Sequence, residues 1–302
     1  MIQISLEPPV PFTLKHIKRV YASRSDSSCL WINDALYLVL LNKNNDPLLI
    51  KIEEFGTPNQ PVLLVTTPSD FDCIPKISHL FSFQDDLKSF YFTIRSDPVM
   101  NQIVNQYYGT HIFHARSFFE SAVIAILEQQ ISVQAANKIR GRFINQFGRG
   151  PIQFEGIAFR AFPTPHDLLE SSIDDIRSIG ISMNKARAIH NLAQCLAEGS
   201  FQIQSLSPHF KDFSLKKIMA LKGIGLWSAQ YILTMGLAWS DVVAHGDLGL
   251  RKAISHYYKE GQPVSVEESH NFFKRFIPWR HIVGYYFLMD HIENGKNYKI
   301  NV

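Results

Sequence analysis

Short apolar runs separated by polar turn sequences mark the first part of the chain. Up to about Thr67, runs rich in apolar and β-branched residues are separated by turn sequences such as NKNNDP at Asn42 to Pro47. The runs are CLWI, ALYLVLL, LLIKIEEF and PVLLVTT. This pattern predicts a small β-rich domain over residues 1–83.

The spacing of apolar positions changes after TPSDFDCIP, and helical spacing dominates from about Gln84 to the end of the chain. Ser172 with Asp175, and Ser265 with Glu268, have the spacing of capping boxes, in which a hydroxyl and an acidic side chain close the start of a helix. We therefore expect an α+β protein, with a β-rich N-terminal domain followed by an all-α part.

A helical pattern is interrupted by two glycines in LKGIGLWSAQYILTMGLAWSDVVAHGDLGLRKA, residues 221–253. Ser214 is expected to cap a short helix that ends at Gly223, and Trp227 to Met235 has the spacing of a new helix. The glycines then form the turn of a helix-hairpin-helix. Glycine takes positive φ without steric cost, and Gly225 leaves the backbone amides open to an anion such as a DNA phosphate. The alternative is a tight turn between two packed helices.

A single carboxylate, Asp247, stands between Gly246 and Leu248 at the start of the next helical pattern. Asp is a preferred N-cap residue, so a structural role as a helix cap is one interpretation. A carboxylate that acts on a substrate is the other. The residue alone does not decide between them.

Composition sets wide limits. The chain has 302 residues, 46% of them apolar, with 30 basic and 27 acidic residues and a net charge of +3, as in ordinary soluble globular proteins. Cys29, Cys73 and Cys195 are scattered, so they build neither a disulfide framework nor a four-cysteine iron-sulfur site. The chain start has no secretory signal pattern and there is no run of eighteen apolar residues, so we expect a cytoplasmic protein without a membrane partner.

The combination of LKGIGLWSAQYIL with DLGLRKA resembles the helix-hairpin-helix DNA glycosylase superfamily, specifically its DNA-3-methyladenine glycosylase II branch. AILEQQISVQAANKI, FPTPHDLL and PWRHIVGYY agree with that branch, in the right order, over about Gln84 to Asn294. The resemblance implies two helical subdomains behind the β-rich domain, with the active site in their cleft. One would combine residues 84–115 with 240–302 and carry Asp247; the other would span residues 116–239 and carry the hairpin.

The resemblance also implies an activity: excision of alkylated purines, such as 3-methyladenine and 7-methylguanine, from double-stranded DNA after base flipping, leaving an abasic site. Asp247 would be the catalytic carboxylate. This fits the chemistry, because cleavage of an N-glycosidic bond builds positive charge on the sugar, which a carboxylate stabilises. Relatives that also cut the strand carry a nucleophilic Lys where this chain has Trp227, so we expect a monofunctional enzyme.

The resemblance assigns further residues. Trp227, Tyr231 and Trp279 match the base pocket, where electron-rich rings favour a cationic purine; aromatic core packing is the alternative. Residues expected at the DNA are Lys222, Gly223, Ile224, Gly225, Gln129, Gln130 and Arg251. No cofactor and no iron-sulfur cluster are expected, and a monovalent cation, Na⁺ or K⁺, would be held by backbone carbonyls of Gly223 and Gly225. The partner would be double-stranded DNA containing damaged bases, bound by a monomer that is nucleoid-associated while on DNA.

Several assignments stay open at this point. The residue that fills the gap left by the flipped base lies in EQQIS, where some relatives place Leu at the Gln130 position; Gln129 and Gln130 are also compatible with solvated helix ends. His245 precedes the Gly-Asp pair and is a candidate support for Asp247, and Arg251 is placed for an ion pair with Asp247 or for a phosphate contact. Basic residues near this segment are candidates for phosphate contacts or for a solvated helix face: Lys138, Arg140, Arg142 and Arg149.

Two other functions are compatible with the same elements. One keeps the fold and changes the substrate to oxidised or deaminated bases. Trp227 in place of Lys and the missing cysteine cluster weigh against it. The other is a non-catalytic helix-hairpin-helix DNA-binding protein, which would need neither Asp247 nor the paired tryptophans.

Overall fold

The N-terminal part of the protein is an antiparallel sheet. The computed structural model describes residues 1–21, 26–68 and 71–298. The sheet strands are β1 (Ile2–Leu6), β2 (Cys29–Ile32), β3 (Ala35–Leu41), β4 (Pro47–Thr57) and β5 (Gln60–Thr67). They are hydrogen-bonded in the order β1-β5-β4-β3-β2, which confirms all four predicted apolar runs as strands. Strand β1 and helix α1 (Lys15–Tyr21) were not predicted.

Strand β3 is buried on both faces, which explains its unbroken apolar sequence. Leu36, Leu38 and Leu40 point to the helices, whereas Tyr37 and Val39 point to the opposite side. Successive side chains of a strand alternate between the two faces of the sheet. A strand with cover on both sides therefore needs apolar residues at every position.

Helices make up most of the remaining chain, as predicted. They are α2 (Ile74–Leu80), α3 (Leu87–Ile94), α4 (Pro98–Gln106), α5 (Phe118–Glu128), α6 (Val133–Phe147), α7 (Ile173–Arg177), α8 (Met183–Ala197), α9 (Lys211–Met219), α10 (Leu226–Tyr231), α11 (Leu248–Tyr258), α12 (Val266–Lys274) and α13 (Arg280–Asn294). Both predicted capping boxes are present, at the starts of α7 and α12. No helix within the described ranges is long and apolar enough to cross a bilayer.

A β-hairpin interrupts the helical part, and the prediction missed it. Strands β6 (Arg149–Phe154) and β7 (Ile157–Ala161) are joined by Glu155 and Gly156, which both have positive φ. Two residues with positive φ between two strands of alternating apolar and polar residues are typical of a tight hairpin turn. Phe159 and Ala161 pack against Tyr37 and Val39, so this hairpin provides the second cover of the N-terminal sheet.

Two larger hydrophobic clusters form the core. The first cluster combines one face of the N-terminal sheet with α2 to α4 and α11 to α13. The second cluster, within residues 118–242, is built mainly by α5 to α10. The sheet therefore shares its core with one set of helices, and the residue bounds of the three predicted domains stay a prediction.

One local prediction around the glycine turn was wrong. Ser214 does not cap α9; it lies buried inside that helix, where its hydroxyl accepts from the Ser207 backbone N–H at 3.0 Å and donates to the Ser207 carbonyl at 3.2 Å. The helix predicted from Trp227 to Met235 is present, as α10 followed directly by a π-helical turn over Ile232–Gly236. Gly236 lies so close to α5 that an added Cβ would be 2.0 Å from Ser121 Oγ.

A buried ion network joins the N-terminal domain to the helices, and it corrects the expectation that Arg140 contacts phosphate. Arg140 Nε lies 2.6 Å from Asp26 Oδ2, and Arg140 Nη2 lies 3.6 Å from Glu120 Oε1. Arg116 pairs with Glu120 and donates to the Ser28 carbonyl at 2.9 Å. Burial by itself raises the pKa of Asp26, but Arg140, Arg116 and the hydrogen bonds from Ser28 outweigh it and hold that pKa below its usual range.

The other three candidates for phosphate contacts differ in their exposure and in their partners within the protein. Arg149 pairs with Asp167 at 2.8 Å, and Arg142 donates to the Ile179 carbonyl at 2.9 Å. Lys138 is exposed on α6. Of the four basic residues proposed from the sequence, Lys138 is therefore the one whose position best suits a phosphate contact.

Arg140→Met should lower the free energy of unfolding by about 3–5 kcal/mol, because it leaves the buried carboxylate of Asp26 without its ion-pair partner and Glu120 with Arg116 alone. A urea titration followed by tryptophan fluorescence measures the change. Lys138→Met, on the exposed side of the same helix, should change stability by less than about 0.5 kcal/mol. If Arg140→Met is as stable as Lys138→Met, the ion network does not contribute to the stability of the fold.

Candidate active site

The predicted hairpin turn, residues 222–225, joins α9 to α10. Gly223 has φ +82°, and an added Cβ would lie 2.6 Å from the Cβ of Ala188 on α8. Ile224 is buried beneath the turn, whereas Lys222 and Gly225 are exposed and an added Cβ at Gly225 would meet nothing within 4 Å. Gly223 is therefore required by φ and by close packing, and Gly225 presents bare backbone to the outside.

Asp247 caps α11 with one carboxylate oxygen and bonds to a predicted pocket residue, Trp227, with the other. Its Oδ1 accepts from the backbone N–H groups of Gly249 at 2.7 Å and Leu250 at 3.2 Å, at the start of α11. Its Oδ2 accepts from Trp227 Nε1 at 2.9 Å. The two interpretations left open by the sequence are thus compatible, because each oxygen has its own partner and the side chain remains partly exposed.

Two of the three predicted pocket aromatics lie together. The rings of Trp227 and Tyr231 are stacked, with centroids 5.5 Å apart and an interplanar angle of 27°, as residues four apart on a helix allow. Both pack against the second cluster. Trp279 packs against the first cluster, with its ring 5.9 Å from that of Phe90, so its place in a pocket with Trp227 stays a prediction.

The two glutamines of EQQIS have different surroundings. Gln129 is half-buried, and its Nε2 donates to the Gly223 carbonyl at 2.9 Å and to Ser228 Oγ at 3.1 Å. Gln130 is exposed and has φ +57°. Gln129 therefore supports the hairpin turn, and Gln130 is the residue free to reach a partner.

His245 lies near Asp247 in the chain but bonds elsewhere. Its Nδ1 accepts from Gln230 Nε2 at 3.1 Å, and its ring meets that of His270 edge-on at 4.7 Å. Burial, reinforced by His270, lowers the pKa of His245, so the ring is neutral at pH 7. It provides no cation for Asp247.

Arg251 does not use Asp247 as its partner. Its Nη1 donates to the Val264 carbonyl at 3.2 Å, and among the described residues no ion pair joins it to Asp247. Arg251 thus ties α11 to the segment before α12. Of the two contacts expected from the sequence, only the phosphate contact stays a prediction.

A neighbour of Asp247 was missed by the sequence analysis. An added Cβ at Gly249 would lie 2.9 Å from His291 Cδ2 and 3.1 Å from Asp247 Oδ1, so this glycine separates the two side chains at very short range. The sequence did contain one indication of a close contact. Gly249 lies in the first turn of a helix, where glycine has a low helix propensity. His291 comes from α13, far along the chain, and no local pattern could have paired it with Asp247.

The carbonyls named for a monovalent cation are already engaged. The Gly223 carbonyl accepts from Gln129, and the Gly225 carbonyl accepts from the Ala229 N–H at 2.9 Å within α10. A carbonyl oxygen has two lone pairs, so one accepted hydrogen bond leaves it able to contact a cation, and the Na⁺ or K⁺ site stays a prediction. Side-chain metal clusters of three or more His, Cys, Asp or Glu are absent from the described part of the chain.

The comparison with known proteins includes both sequence and structure. The DNA-3-methyladenine glycosylase of Saccharomyces cerevisiae is 34% identical over 154 residues, which is 50% of this chain and 50% of that protein. DNA-3-methyladenine glycosylase 2 of Escherichia coli (strain K12) is 24% identical over 213 residues, covering 70% of each chain. A solved 3-methyladenine DNA-glycosylase from Archaeoglobus fulgidus superposes with a TM-score of 0.85 at 20% identity, covering 97% of this chain and 99% of that one, which confirms the predicted fold class.

A family model described as HhH-GPD superfamily base excision DNA repair protein matches residues 123–278, slightly more than half of the chain. The matched segment contains the glycine turn, Trp227 and Asp247, and ends one residue before Trp279. The resemblance carried by the sequence motifs is thereby confirmed. The chain belongs to the HhH-GPD superfamily of base excision DNA repair proteins.

Proposed function

We propose that the protein is a monofunctional DNA glycosylase that hydrolyses the N-glycosidic bond of alkylated purines in double-stranded DNA and leaves an abasic site. The observation that carries the proposal is the position of Asp247. Its carboxylate is held at two points, by the α11 amides and by Trp227 Nε1, beside a stacked aromatic pair. A helix cap alone would not need the bond to Trp227.

The carboxylate has a defined task in this reaction. As the base leaves, positive charge develops on the deoxyribose, and a fixed negative oxygen stabilises that charge without having to reorient. Opposite charges about 4 Å apart at an effective dielectric constant near 20 attract by about 4 kcal/mol, or roughly a thousandfold in rate. The same carboxylate can orient the attacking water.

The aromatic pair supports alkylated purines as substrates. N-alkylation gives the purine ring a positive charge, and a cation over an electron-rich ring gains about 0.5–2 kcal/mol. Such bases are good leaving groups, so a strong general acid is not required. The names of the yeast and E. coli relatives, both DNA-3-methyladenine glycosylases, support the same substrate class.

DNA binding is assigned to the side of the molecule that carries the hairpin turn. Exposed backbone at Gly225 and the exposed ammonium of Lys222 suit a phosphate. A base must leave the duplex to reach Asp247, and we assign the exposed Gln130 to the gap that it leaves.

Hydrolysis without strand cleavage follows from Trp227. Strand cleavage by β-elimination needs an amine that forms a Schiff base with the sugar. Trp227 has no nucleophilic nitrogen, since its indole N–H is a donor only and is bound to Asp247. The product is therefore a free base and an intact strand with an abasic site.

Asp247→Asn should lower the rate of methylpurine release by about a hundred- to a thousandfold, because the neutral amide no longer offsets the sugar charge. Affinity for a duplex with an abasic-site analogue should change by less than about threefold, since the hairpin turn is untouched. Single-turnover release and a binding titration measure the two quantities. Asp212→Asn, which removes an exposed carboxylate of α9, is the matched control; equal rates in both variants would remove Asp247 from the mechanism.

Trp227→Phe keeps an aromatic ring and deletes the N–H bound to Asp247. A hydrogen bond to a charged group contributes about 1.5–3 kcal/mol, so release should slow by about tenfold or more. Trp31→Phe, the same change in the N-terminal sheet, should leave the rate unaltered. A Trp227→Phe enzyme with the wild-type rate would mean that Trp227 does not orient the carboxylate.

Borohydride trapping tests the monofunctional assignment. With methylated DNA the wild-type protein should yield no covalent protein-DNA adduct, and strand breaks should appear only after heat or alkali. Trapping of an adduct would instead indicate an amine nucleophile elsewhere in the site. Release of oxidised or deaminated bases in place of methylpurines, measured on the same duplexes, would shift the substrate class.

A further inference from the structure

The loop between α5 and α6, residues 129–132, is held at its base by a lysine from another helix. Helix α5 ends at Glu128, so its last carbonyls lack partners within the helix. Lys185 Nζ donates to the Leu127 carbonyl at 2.8 Å and to the Gln129 carbonyl at 2.7 Å. A cation at a helix C-terminus is also favoured by the helix dipole.

The same loop is attached to the hairpin turn by Gln129. Its amide reaches a backbone carbonyl, the oxygen of Gly223, at 2.9 Å. A carbonyl only accepts, so the NH₂ end of the side chain must face it and the orientation of the amide is determined. Ser228 Oγ, at 3.1 Å and almost fully buried, provides a second point of attachment.

Helix α8 contacts both the loop and the hairpin turn. Lys185 and Ala188 are three residues apart and share one face of α8. Lys185 holds the loop, and Ala188 packs against Gly223 so tightly that an added Cβ there would be 2.6 Å away. Loop, hairpin turn and α8 therefore contact one another in all three pairs.

We propose that Lys185 and Gln129 are positioning residues that hold loop 129–132 against the hairpin turn. Gln130 then enters the duplex at a fixed distance from the DNA phosphate that the hairpin turn binds. This rests on the proposed function. Gln130 itself has left-handed backbone and is exposed at the tip. A loop backbone held in place before binding loses less conformational freedom on insertion, so the fixed loop lowers the cost of opening a paired base.

The test separates opening of the duplex from chemistry. Single-turnover release is measured for one methylpurine in two duplexes, paired with its normal partner or opposite an abasic-site analogue, where pairing is already lost. Lys185→Met and Gln129→Glu should each slow release from the paired duplex by at least about tenfold, or about 1.4 kcal/mol. Release from the unpaired lesion should change by less than about threefold, because little opening remains to be done.

The variants are chosen to be informative if one fails to fold. Gln129→Glu keeps the side-chain size and removes both N–H donors, whereas Lys185→Arg keeps the charge and should restore most of the paired rate. Arg187→Met changes an exposed cation of α8 and serves as the matched control. Equal losses on both duplexes would indicate a general structural effect, and no loss on the paired duplex would mean that the loop needs no support; either result overturns the proposal.

A second measurement does not require catalysis. A duplex with 2-aminopurine next to an abasic-site analogue becomes more fluorescent when the stack opens. Wild type should raise this signal on binding, and Lys185→Met and Gln129→Glu should raise it much less at saturating protein. If wild type opens the duplex but releases no methylpurine, the proposed substrate is wrong and the positioning role stands; if variants and wild type give equal signals, or none gives a signal, the positioning role is wrong.

Discussion

The hydrogen bond between Trp227 Nε1 and Asp247 Oδ2 joins the two halves of the helical core. Trp227 packs on the second cluster, whereas α11, whose amides hold the other carboxylate oxygen, packs with Leu250 into the first. The carboxylate proposed as catalytic is thus held at the boundary between the clusters, by one partner from each side. Because a carboxylate has only two oxygens, its direction is set as soon as both are engaged. A shift of one cluster relative to the other would lengthen one of these bonds and change the direction of the carboxylate.

The N-terminal sheet contacts both clusters and so helps to fix their relative position. It shares the first cluster with α11 and α13, and it is tied to the second cluster through Arg140, Asp26 and Glu120. The β6-β7 hairpin adds an apolar contact on the other face of the sheet. A buried ion network of this kind contributes little to stability when intact, but its loss is costly because charges remain without compensation in a medium of low dielectric constant. The sheet therefore supports the geometry of a site to which it contributes no reacting group.

On the side proposed to bind DNA, a few exposed residues lie over a buried layer of other side chains. Lys222, Gly225 and Gln130 are exposed, while Ile224, Ser228 and Ala188 lie buried behind them. Contact with a duplex backbone requires close approach, which glycine permits, and rigid placement, which packing against α8 provides. The substrate proposal and the positioning proposal depend on different parts of this arrangement, the aromatic pair on one side and the loop on the other.

Local patterns in the sequence were sufficient to predict the strands of the sheet, the helical nature of the remainder, the glycine turn and the single Asp after it. These features depend on periodicity, capping and backbone freedom within a few residues. Local patterns were not sufficient for the cap of α9, the π-helical turn or the β6-β7 hairpin, where distant partners such as Ser207, Ser121 and Tyr37 override local preference. The buried state of Arg140, the attachment of Gln129 to Gly223 and the approach of His291 to Asp247 were decided by tertiary structure alone. A side chain at a helix end looks the same in the sequence whether it meets water, DNA or another helix, and only folding brings the second partner within bonding distance.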